Sequence, residues 1–375
     1  MAKVKKVLVV GGGIGGLTAA IALRRADIEV DLVELTTDWK VYHIGIVVQA
    51  NFIRAMASIG MANKVVAAGF PYGGLSFRDL QGNVIAELKG NPLAGRRYPS
   101  HLGMSRPRLH EVLLQAATES GADLRRGVSF SSLEQDAEGV EVAFTDGDSG
   151  RYDVVLGADG IYSKVRSALF GDRLKPEFTG QGVWRYNVQR PPELTTSFYT
   201  TGLKGGKAGF IPLSAKTGYV WLVTTEPGNP WYEPQSLARR MVEHLLPCGG
   251  VMARLREQMV DPEQVVYRPL ESIFLPSPWY RGRILLIGDA AHATTPHLGQ
   301  GAAQAVEDAV VASEVLARDG PIDALMDEFM ARRYERCKFI VESSLQIGAW
   351  EQTPSPDEDA PGLTRKMLDV VAAPI

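Results

Sequence analysis

Continuous apolar runs and helical patterns alternate at both ends of the chain. Val7 to Val10 form an apolar run of the kind found in a parallel strand that is buried on both faces. A glycine-rich turn, a helical pattern from Leu17 to Ala26 and a second strand-like run from Val30 to Leu35 follow. The chain is therefore predicted to begin with a strand–turn–helix–strand unit.

Similar runs return later, around a middle region of different character. Tyr152 to Leu156 and Ile284 to Ile287 read as further buried strands. Between Phe178 and Glu226, short β-type segments divided by proline and glycine are typical of an antiparallel sheet. Helical patterns are predicted over three other segments, namely Arg108 to Glu119, Gly301 to Leu316, and Ile322 to about Gly348.

Composition narrows the class of protein. The 375 residues are 45% hydrophobic and 22% charged with a net charge of −3, which does not favour binding to nucleic acid or to an anionic membrane. Cys248 and Cys337 lie far apart and outside any metal-ligand spacing, so neither a disulfide nor a metal site is expected. Every apolar run is far shorter than the roughly 20 residues of a membrane span, and a soluble, cytoplasmic protein is predicted.

The first turn carries the G-x-G-x-x-G pattern of dinucleotide-binding proteins. Gly11 would permit the tight turn, Gly13 would let the backbone approach a pyrophosphate, and Gly16 would let the helix pack on the strand. Glu34 ends the second strand, where a carboxylate can bind an adenosine ribose. The predicted contacts of this unit are Gly11, Gly13, Ile14, Gly15, Gly16, Glu34 and Leu35. The motif alone does not distinguish FAD from NAD.

Two later motifs distinguish these cofactors. Asp153 to Arg166, which contains Asp159-Gly160, and Gly288 to Gly301, which begins with Gly288-Asp289, resemble the DG and GD motifs of the class A flavoprotein monooxygenases. This is the para-hydroxybenzoate hydroxylase family. Ser105 to Leu109 is similar to the family's Arg-x-x-Leu segment, and Phe329 to Arg333 to its late aromatic-x-x-x-Arg segment. The motifs occur in the family's order, and the salicylate, 3-hydroxybenzoate and urate hydroxylases look most similar.

The resemblance implies a fold and an activity. The fold is α/β: a Rossmann-type, glutathione reductase-like FAD-binding domain with an inserted, mainly antiparallel β-sheet substrate domain and C-terminal helices. The expected activity is hydroxylation of a small phenolic or heteroaromatic compound, with FAD as cofactor, NADH or NADPH as transient co-substrate, and O₂ adding at the flavin C4a to form a hydroperoxide. The FAD contacts that the resemblance adds are Arg106, Asp159, Asp289, Pro296, Gly299, Gly301 and Ala302.

Residue chemistry supports these assignments. Asp289 follows a buried strand, at the edge where open α/β sheets bind ligands, and could accept a hydrogen bond from a ribityl hydroxyl. The helix that begins near Gly301 would direct its positive end at the flavin N1–C2 edge and stabilise the anionic reduced state. His292 is interpreted as a structural hydrogen-bonding residue.

Four residues are candidates for a role at the ring. His297 and Tyr186, with His43 as a weaker choice, could accept or engage a substrate proton, and Pro296 belongs to the loop that would lie against the ring. Trp184 and Tyr186 alternate on one strand and could share a face toward that ring, although core packing is the favoured interpretation of Trp184. Lys207 to Pro212 lacks an arginine, which argues against a urate-like or strongly anionic substrate. From His43 to Asn51, only Gly45 and Asn51 match the family.

The recurrence of buried strands at both ends predicts discontinuous domains. The FAD domain is expected to comprise 1–70, 98–175 and 270–320, the substrate domain 71–97 and 176–269, and the C-terminal helix and tail 321–375. The tail after Glu351 is expected to be loosely held. The sequence leaves two other functions open, namely a flavin oxidoreductase that inserts no oxygen and a flavin-binding partner protein with little catalysis. It also leaves the oligomeric state open.

Overall fold

A computed structural model describes residues 3–39 and 43–375. The strands are β1 (Lys6–Val10), β2 (Glu29–Glu34), β3 (Gly45–Gln49), β4 (Phe70–Tyr72), β5 (Gly74–Arg78), β6 (Val84–Lys89), β7 (His101–Ser105), β8 (Asp123–Arg126), β9 (Phe130–Gln135), β10 (Val140–Phe144), β11 (Ser149–Tyr152), β12 (Val154–Gly157), β13 (Glu177–Gln189), β14 (Ser197–Thr200), β15 (Gly206–Pro212), β16 (Thr217–Thr225), β17 (Val266–Ser272), β18 (Tyr280–Arg281) and β19 (Ile284–Leu286). The α-helices are α1 (Ile14–Arg25), α2 (Ala50–Ser58), α3 (Ala62–Ala67), α4 (Arg106–Glu119), α5 (Lys164–Phe170), α6 (Leu237–Leu245), α7 (Gly250–Arg256), α8 (Asp289–His292), α9 (Gly301–Leu316), α10 (Ile322–Gln352) and α11 (Ala360–Ala372). Short 3₁₀ helices cover Pro234–Ser236, Pro262–Gln264 and Pro296–Leu298.

The predicted buried strands form one mainly parallel sheet. Its order is β18-β19-β12-β1-β2-β8, and its pairs are parallel apart from β18 with β19. Helices α1, α4 and α9, of which α1 contacts the other two, and the three-stranded sheet β11-β10-β9 share its core, so the strands are buried on both faces. The α/β, Rossmann-type prediction is confirmed by this sheet.

A second sheet contains the predicted antiparallel segments. Its order is β17-β13-β16-β15-β14-β5-β6, with only β14 and β5 parallel among its described pairs. Helices α6 and α7 cover one face through a core that includes Trp184 and Met241. The opposite face is turned toward the first sheet. The two sheets draw on separated parts of the chain, and the domain boundaries given above stay a prediction.

Three helices differ from the sequence expectations at their ends. Helix α1 spans Ile14 to Arg25 and not Leu17 to Ala26. Helix α4 begins at Arg106, two residues early, because Ser105 caps it by accepting a hydrogen bond from the Arg108 backbone N–H at 3.3 Å. Helix α10 continues to Gln352. No helix among the described residues is long and apolar enough to cross a membrane.

The expectation of a loosely held tail is wrong. Helix α11 packs Met367 and Val371 against Leu298 and α10. Arg54 donates hydrogen bonds to the carbonyls of Val371 and Ala372 at 3.0 and 2.9 Å. Apolar contacts and hydrogen-bonded carbonyl groups together hold this segment in place. The prolines and acidic residues between Pro354 and Asp359 had suggested a loosely held tail.

Candidate active site

Two helix N-termini face one cavity of about 690 Å³ between the two sheets. Gly13, Ile14 and Gly15 line it from the start of α1, and Gly301 and Ala302 line it from the start of α9. Neither helix receives a side-chain cap from a described residue. Their first N–H groups and positive dipole ends are therefore available to an anionic or electron-rich ligand.

Some glycines of the first turn are packed against neighbouring backbone, and one borders open space. Gly11 has φ +108°, and a Cβ there would lie 2.5 Å from the Ala158 carbonyl oxygen. A Cβ on Gly16 would lie 1.9 Å from the Gly11 carbonyl oxygen, whereas one on Gly13 would meet no described heavy atom within 4 Å. Gly11 and Gly16 thus keep the turn closed, and Gly13 borders open space, in agreement with the roles that the motif suggested.

The carboxylate at the end of β2 braces the same turn. Glu34 accepts hydrogen bonds from the Gly12 N–H at 2.8 Å and from the Thr36 N–H at 2.9 Å. Leu35 is 55% exposed and is not among the residues that line the cavity. The contact of Leu35 with FAD therefore stays a prediction.

The acid of the DG motif caps a turn. Asp159 accepts hydrogen bonds from the Ser163 hydroxyl at 2.5 Å and from the Lys164 N–H at 2.7 Å, while the following Gly160 lines the cavity. The carboxylate thus holds the start of α5, and its direct contact with FAD stays a prediction. Arg166, from the same motif, donates to the Ala290 carbonyl at 3.0 Å and so connects the DG motif to the GD motif.

The acid of the GD motif does face the cavity. Asp289 lies at the start of α8, and the cavity reaches its side chain although the protein surrounds it. Burial raises the pKa of Asp289, and the positive charges of His292 and Arg106 oppose this rise. Asp308 accepts hydrogen bonds from the Gly288 N–H at 2.8 Å and contacts His292 Nε2 at 2.6 Å, which fixes α8. This supports the structural role predicted for His292.

A buried ion network lies behind α8. The Arg333 guanidinium, which has no exposed surface, contacts Asp308 at 2.7 Å and Glu307 at 2.8 Å. Gln304 accepts a further hydrogen bond from it at 2.7 Å. The late aromatic-x-x-x-Arg segment therefore acts through α9 and α8 on the position of Asp289.

The loop between α8 and α9 is held from β3 and α2. Pro296 and Gly299 line the cavity, and Gly299 adopts the left-handed conformation with φ +63°. Gln49 donates hydrogen bonds to the carbonyls of Leu298 and Gly299 at 2.7 and 3.1 Å. Asn51 donates to Gln300 at 3.0 Å. Sequence reasoning noticed Asn51 as a family match but missed Gln49, which no motif marks.

The proposed proton acceptors do not line the large cavity. His297 turns toward a second cavity of about 430 Å³, where its Nδ1 lies 2.8 Å from Thr295 Oγ1. Tyr186 packs against α6 and α7, and its hydroxyl accepts a hydrogen bond from the Asp261 N–H at 3.3 Å. Exposed His43 lies 3.2 Å from the Gln264 carbonyl oxygen. Trp184 and Tyr186 do share a face of β13, but that face packs in the core under α6 and α7, as favoured for Trp184, whereas Val183 and Arg185 line the cavity.

The wall opposite the loop is formed by side chains of the second sheet. Val183 and Arg185 contribute from β13, Tyr219 and Trp221 from β16, and Lys207 from β15. Each strand contributes alternate residues, as a pleated sheet requires. The alternation on β13 was predicted, but the set that lines the cavity is Val183 and Arg185 and not Trp184 and Tyr186.

Trp221 gives this wall a flat, polar-edged surface. Its indole lies over Gly209, where a Cβ would be 2.4 Å from Cζ2, and Tyr199 packs edge-on at 5.0 Å between ring centroids. The Trp221 Nε1 is buried and finds no hydrogen-bond acceptor among the described residues. A buried donor without a partner is costly, so a ligand with an acceptor group would be favoured here.

Positive charge is concentrated at the same wall. Burial lowers the pKa of Arg185 to about 10, Tyr219 raises it, and the nearby Arg106 lowers it further. Burial likewise lowers the pKa of Arg106, whose Nε finds no acceptor in the described part of the chain. Burial raises the pKa of Tyr219 to about 12 against the effect of both arginines. Arg185 and Arg106 bring positive charge to the cavity from elements outside 207–212, and the expectation against anionic substrates stays a prediction.

These features fit FAD. The open space at Gly13 and the α1 N-terminus would hold the pyrophosphate, and Asp289 would hold the ribityl chain. Arg106 Nε and the α9 N-terminus offer donors where a flavin carries electron-rich atoms. When bound, FAD would supply the redox and oxygen chemistry that the side chains here lack.

Comparison with known proteins gives the same cofactor. A family model described as "FAD binding domain" matches residues 5–344. The aurachin C monooxygenase/isomerase of Stigmatella aurantiaca is 31% identical over 92% of this chain and 90% of its own length. The FAD-dependent urate hydroxylase of Klebsiella pneumoniae is 29% identical over 90% of this chain and 88% of its own length. The crystal structure of Klebsiella pneumoniae HpxO with FAD and uric acid is 27% identical, with a TM-score of 0.87 over 99% of this chain and 97% of that one. This chain belongs to the FAD-binding-domain family and is a flavoprotein monooxygenase.

Proposed function

We propose that this protein hydroxylates a small aromatic compound, phenolic or heteroaromatic, with NADH or NADPH as the reductant of its FAD. The observation that carries the proposal is the joint geometry of one cavity. Two uncapped helix N-termini form one side of it, and the aromatic wall of Tyr199, Tyr219 and Trp221 forms the other. A flat ring held between them would lie within reach of a flavin.

The side chains of the wall would orient the ring and keep water away. Trp221 Nε1 would donate to an acceptor at the ring edge, and Arg185 would stabilise negative charge that develops on it. This supports a substrate with several polar ring atoms. The relative from Klebsiella pneumoniae, named for urate, is a precedent for such a ring.

The proposed nicotinamide cofactor would bind only transiently. The sequence holds a single G-x-G-x-x-G, at Gly11 to Gly16, and its turn serves the FAD site. A dehydrogenase that keeps its nicotinamide cofactor bound would need a second dinucleotide unit. Reduction by a cofactor that arrives and leaves is therefore the route that this chain supports.

The test is a screen of an aromatic library with FAD-loaded protein. NADH or NADPH oxidation, O₂ uptake and the product mass are followed together, and a gain of one oxygen atom per O₂ consumed is expected for a productive ring. Oxidation of the nicotinamide without any oxygenated product would instead favour the oxidoreductase alternative. Trp221→Phe is expected to lower the yield of oxygenated product, with Trp231→Phe, an 81% exposed tryptophan, as the matched control.

A further inference from the structure

The long helix α10 contributes an ion pair to the wall of the large cavity. Glu351 Oε1 lies 2.7 Å from the Lys207 ammonium, and the two side chains are only 13% and 19% exposed. Lys207 lines the large cavity from β15. A carboxylate from a distant part of the sequence thus controls a cation at the proposed ring site.

The second oxygen of Glu351 is also held. Glu351 Oε2 accepts a hydrogen bond from Gln181 Nε2 at 3.1 Å and lies 3.2 Å from His297 Nε2. Burial alone would raise the pKa of Glu351, but Lys207 and His297 together lower it to about 2. Burial and the charge of Lys207 lower the pKa of His297, so the imidazole is neutral near pH 7. The bridge therefore carries one positive and one negative charge.

This arrangement has a consequence for ligands. An anion that approaches Lys207 must share the ammonium with a carboxylate that already binds it at short range. In a partly buried site, such competition is stronger than at a surface, because solvent screens it less. The Glu351 carboxylate thereby neutralises the charge of the Lys207 ammonium.

We propose that Glu351 is a specificity-determining residue, which neutralises Lys207 and so makes this end of the cavity prefer an uncharged ring edge over an anionic one. Arg185 and Arg106 leave the rest of the wall positive, so a ring with an anionic group would be turned toward them. The inference rests on the proposed function, since it takes the large cavity to be the ring site. It adds that Glu351, from α10, makes the site distinguish ligands by their charge.

The test uses benzoate and benzamide, which share a shape and differ in charge. Their dissociation constants are measured on FAD-loaded protein by the change in flavin absorbance and by calorimetry. In Glu351→Gln, the preference for benzoate over benzamide should rise about tenfold or more, as for other close charge pairs that lose one partner. In Lys207→Met it should fall, and in the double variant it should return toward the wild-type value.

A matched variant separates charge from structure. His297→Gln changes a hydrogen bond to Glu351 without removing a charge, so both probes should shift by the same factor; the melting temperature of every variant checks its fold. Equal shifts for both probes in Glu351→Gln, or no saturable binding of either probe to any variant, would overturn the inference. If the preference for benzoate changes with Glu351 as expected but the protein oxygenates no ring, the proposed function is overturned and the role of Glu351 stands.

Discussion

The large cavity has one side made of backbone and one side made of side chains. Around Gly13, Gly299 and Gly301, helix N-termini and turns present N–H groups, which the side chains of Arg106 and Asp289 supplement. Across from them, Arg185, Trp221 and other side chains project from a sheet. Backbone groups can bind only features that every FAD shares, whereas side chains can be exchanged without disturbing the fold. The cofactor side is therefore general, and the wall is where this chain sets its own selectivity.

The largest expected effect comes from the buried network that supports the cofactor side. Arg333→Met leaves Glu307 and Asp308 as buried carboxylates without their main partner, and should lower the free energy of unfolding by about 3–5 kcal/mol. Urea unfolding followed by circular dichroism measures this loss. Arg318→Met, which breaks a largely exposed pair with Glu328, should cost less than about 1 kcal/mol. Similar small losses in both variants would contradict the role assigned to Arg333.

Two glycines of the first turn should separate cofactor binding from folding. Gly16→Ala forces a Cβ against the Gly11 carbonyl and should lower the stability of the apoprotein by about 1–3 kcal/mol. Gly13→Ala meets no described atom, so it should leave the apoprotein intact but weaken FAD binding about tenfold or more. FAD titration by fluorescence and apoprotein melting are the measurements. A Gly13→Ala protein with unchanged FAD affinity would show that the pyrophosphate binds elsewhere.

The loop glycines offer a smaller, paired contrast. Gly299→Ala places a side chain in the left-handed region and 2.8 Å from Gln49 Nε2, and should cost about 1–2 kcal/mol of stability while weakening FAD binding. Gly301→Ala puts Cβ at an ordinary 3.5 Å from Thr294 Cγ2, so it should cost little stability and weaken FAD binding only through the Cβ that it adds to the cavity wall. Thermal melting and FAD titration compare the two. If Gly301→Ala lowers the melting temperature more than Gly299→Ala does, the start of α9 needs more space than the backbone geometry indicates.

The smallest effect tests the two faces of β13. Tyr186→Phe removes only the acceptor for the Asp261 N–H, so it should cost about 0.5–1.5 kcal/mol of stability and leave benzoate affinity unchanged. Arg185→Met, on the neighbouring position, should weaken benzoate binding because Arg185 lines the cavity. Calorimetry with benzoate decides between them. A loss of affinity in Tyr186→Phe would return that residue to the ring site.

The cofactor side could be predicted from sequence because its geometry is local. A turn that admits only glycine, followed by a helix, leaves a readable pattern within a few residues, as at Gly11 to Gly16. The sequence does not distinguish the roles of the two acids, since Asp159 and Asp289 both neighbour a glycine after a buried strand. One caps α5 and the other faces the cavity. Only the position of the next helix distinguishes them.

The wall could not be predicted, because alternation along a strand does not show which of its two faces meets a ligand. On β13 the apolar set of Trp184, Tyr186 and Val188 packs under α6 and α7, whereas Val183 and Arg185 line the cavity. The Lys207–Glu351 pair joins β15 to the end of α10, and nothing near either residue in sequence signals the other. Such contacts depend on how helices pack over long separations.

The parallel pairing of β14 with β5 has a consequence for how the chain folds. The hydroxyl of Thr196 donates a hydrogen bond to the Gly74 carbonyl across 122 positions of sequence. Because a loop of that length loses entropy before its ends gain any contact, the β5–β6 hairpin should join the sheet late and slowly. A fragment of residues 177–272 would hold five of the seven strands and leave the edge of β14 unpaired. That fragment is expected to aggregate through its open edge, so the sheet that would select the ring should become stable only together with the rest of the chain.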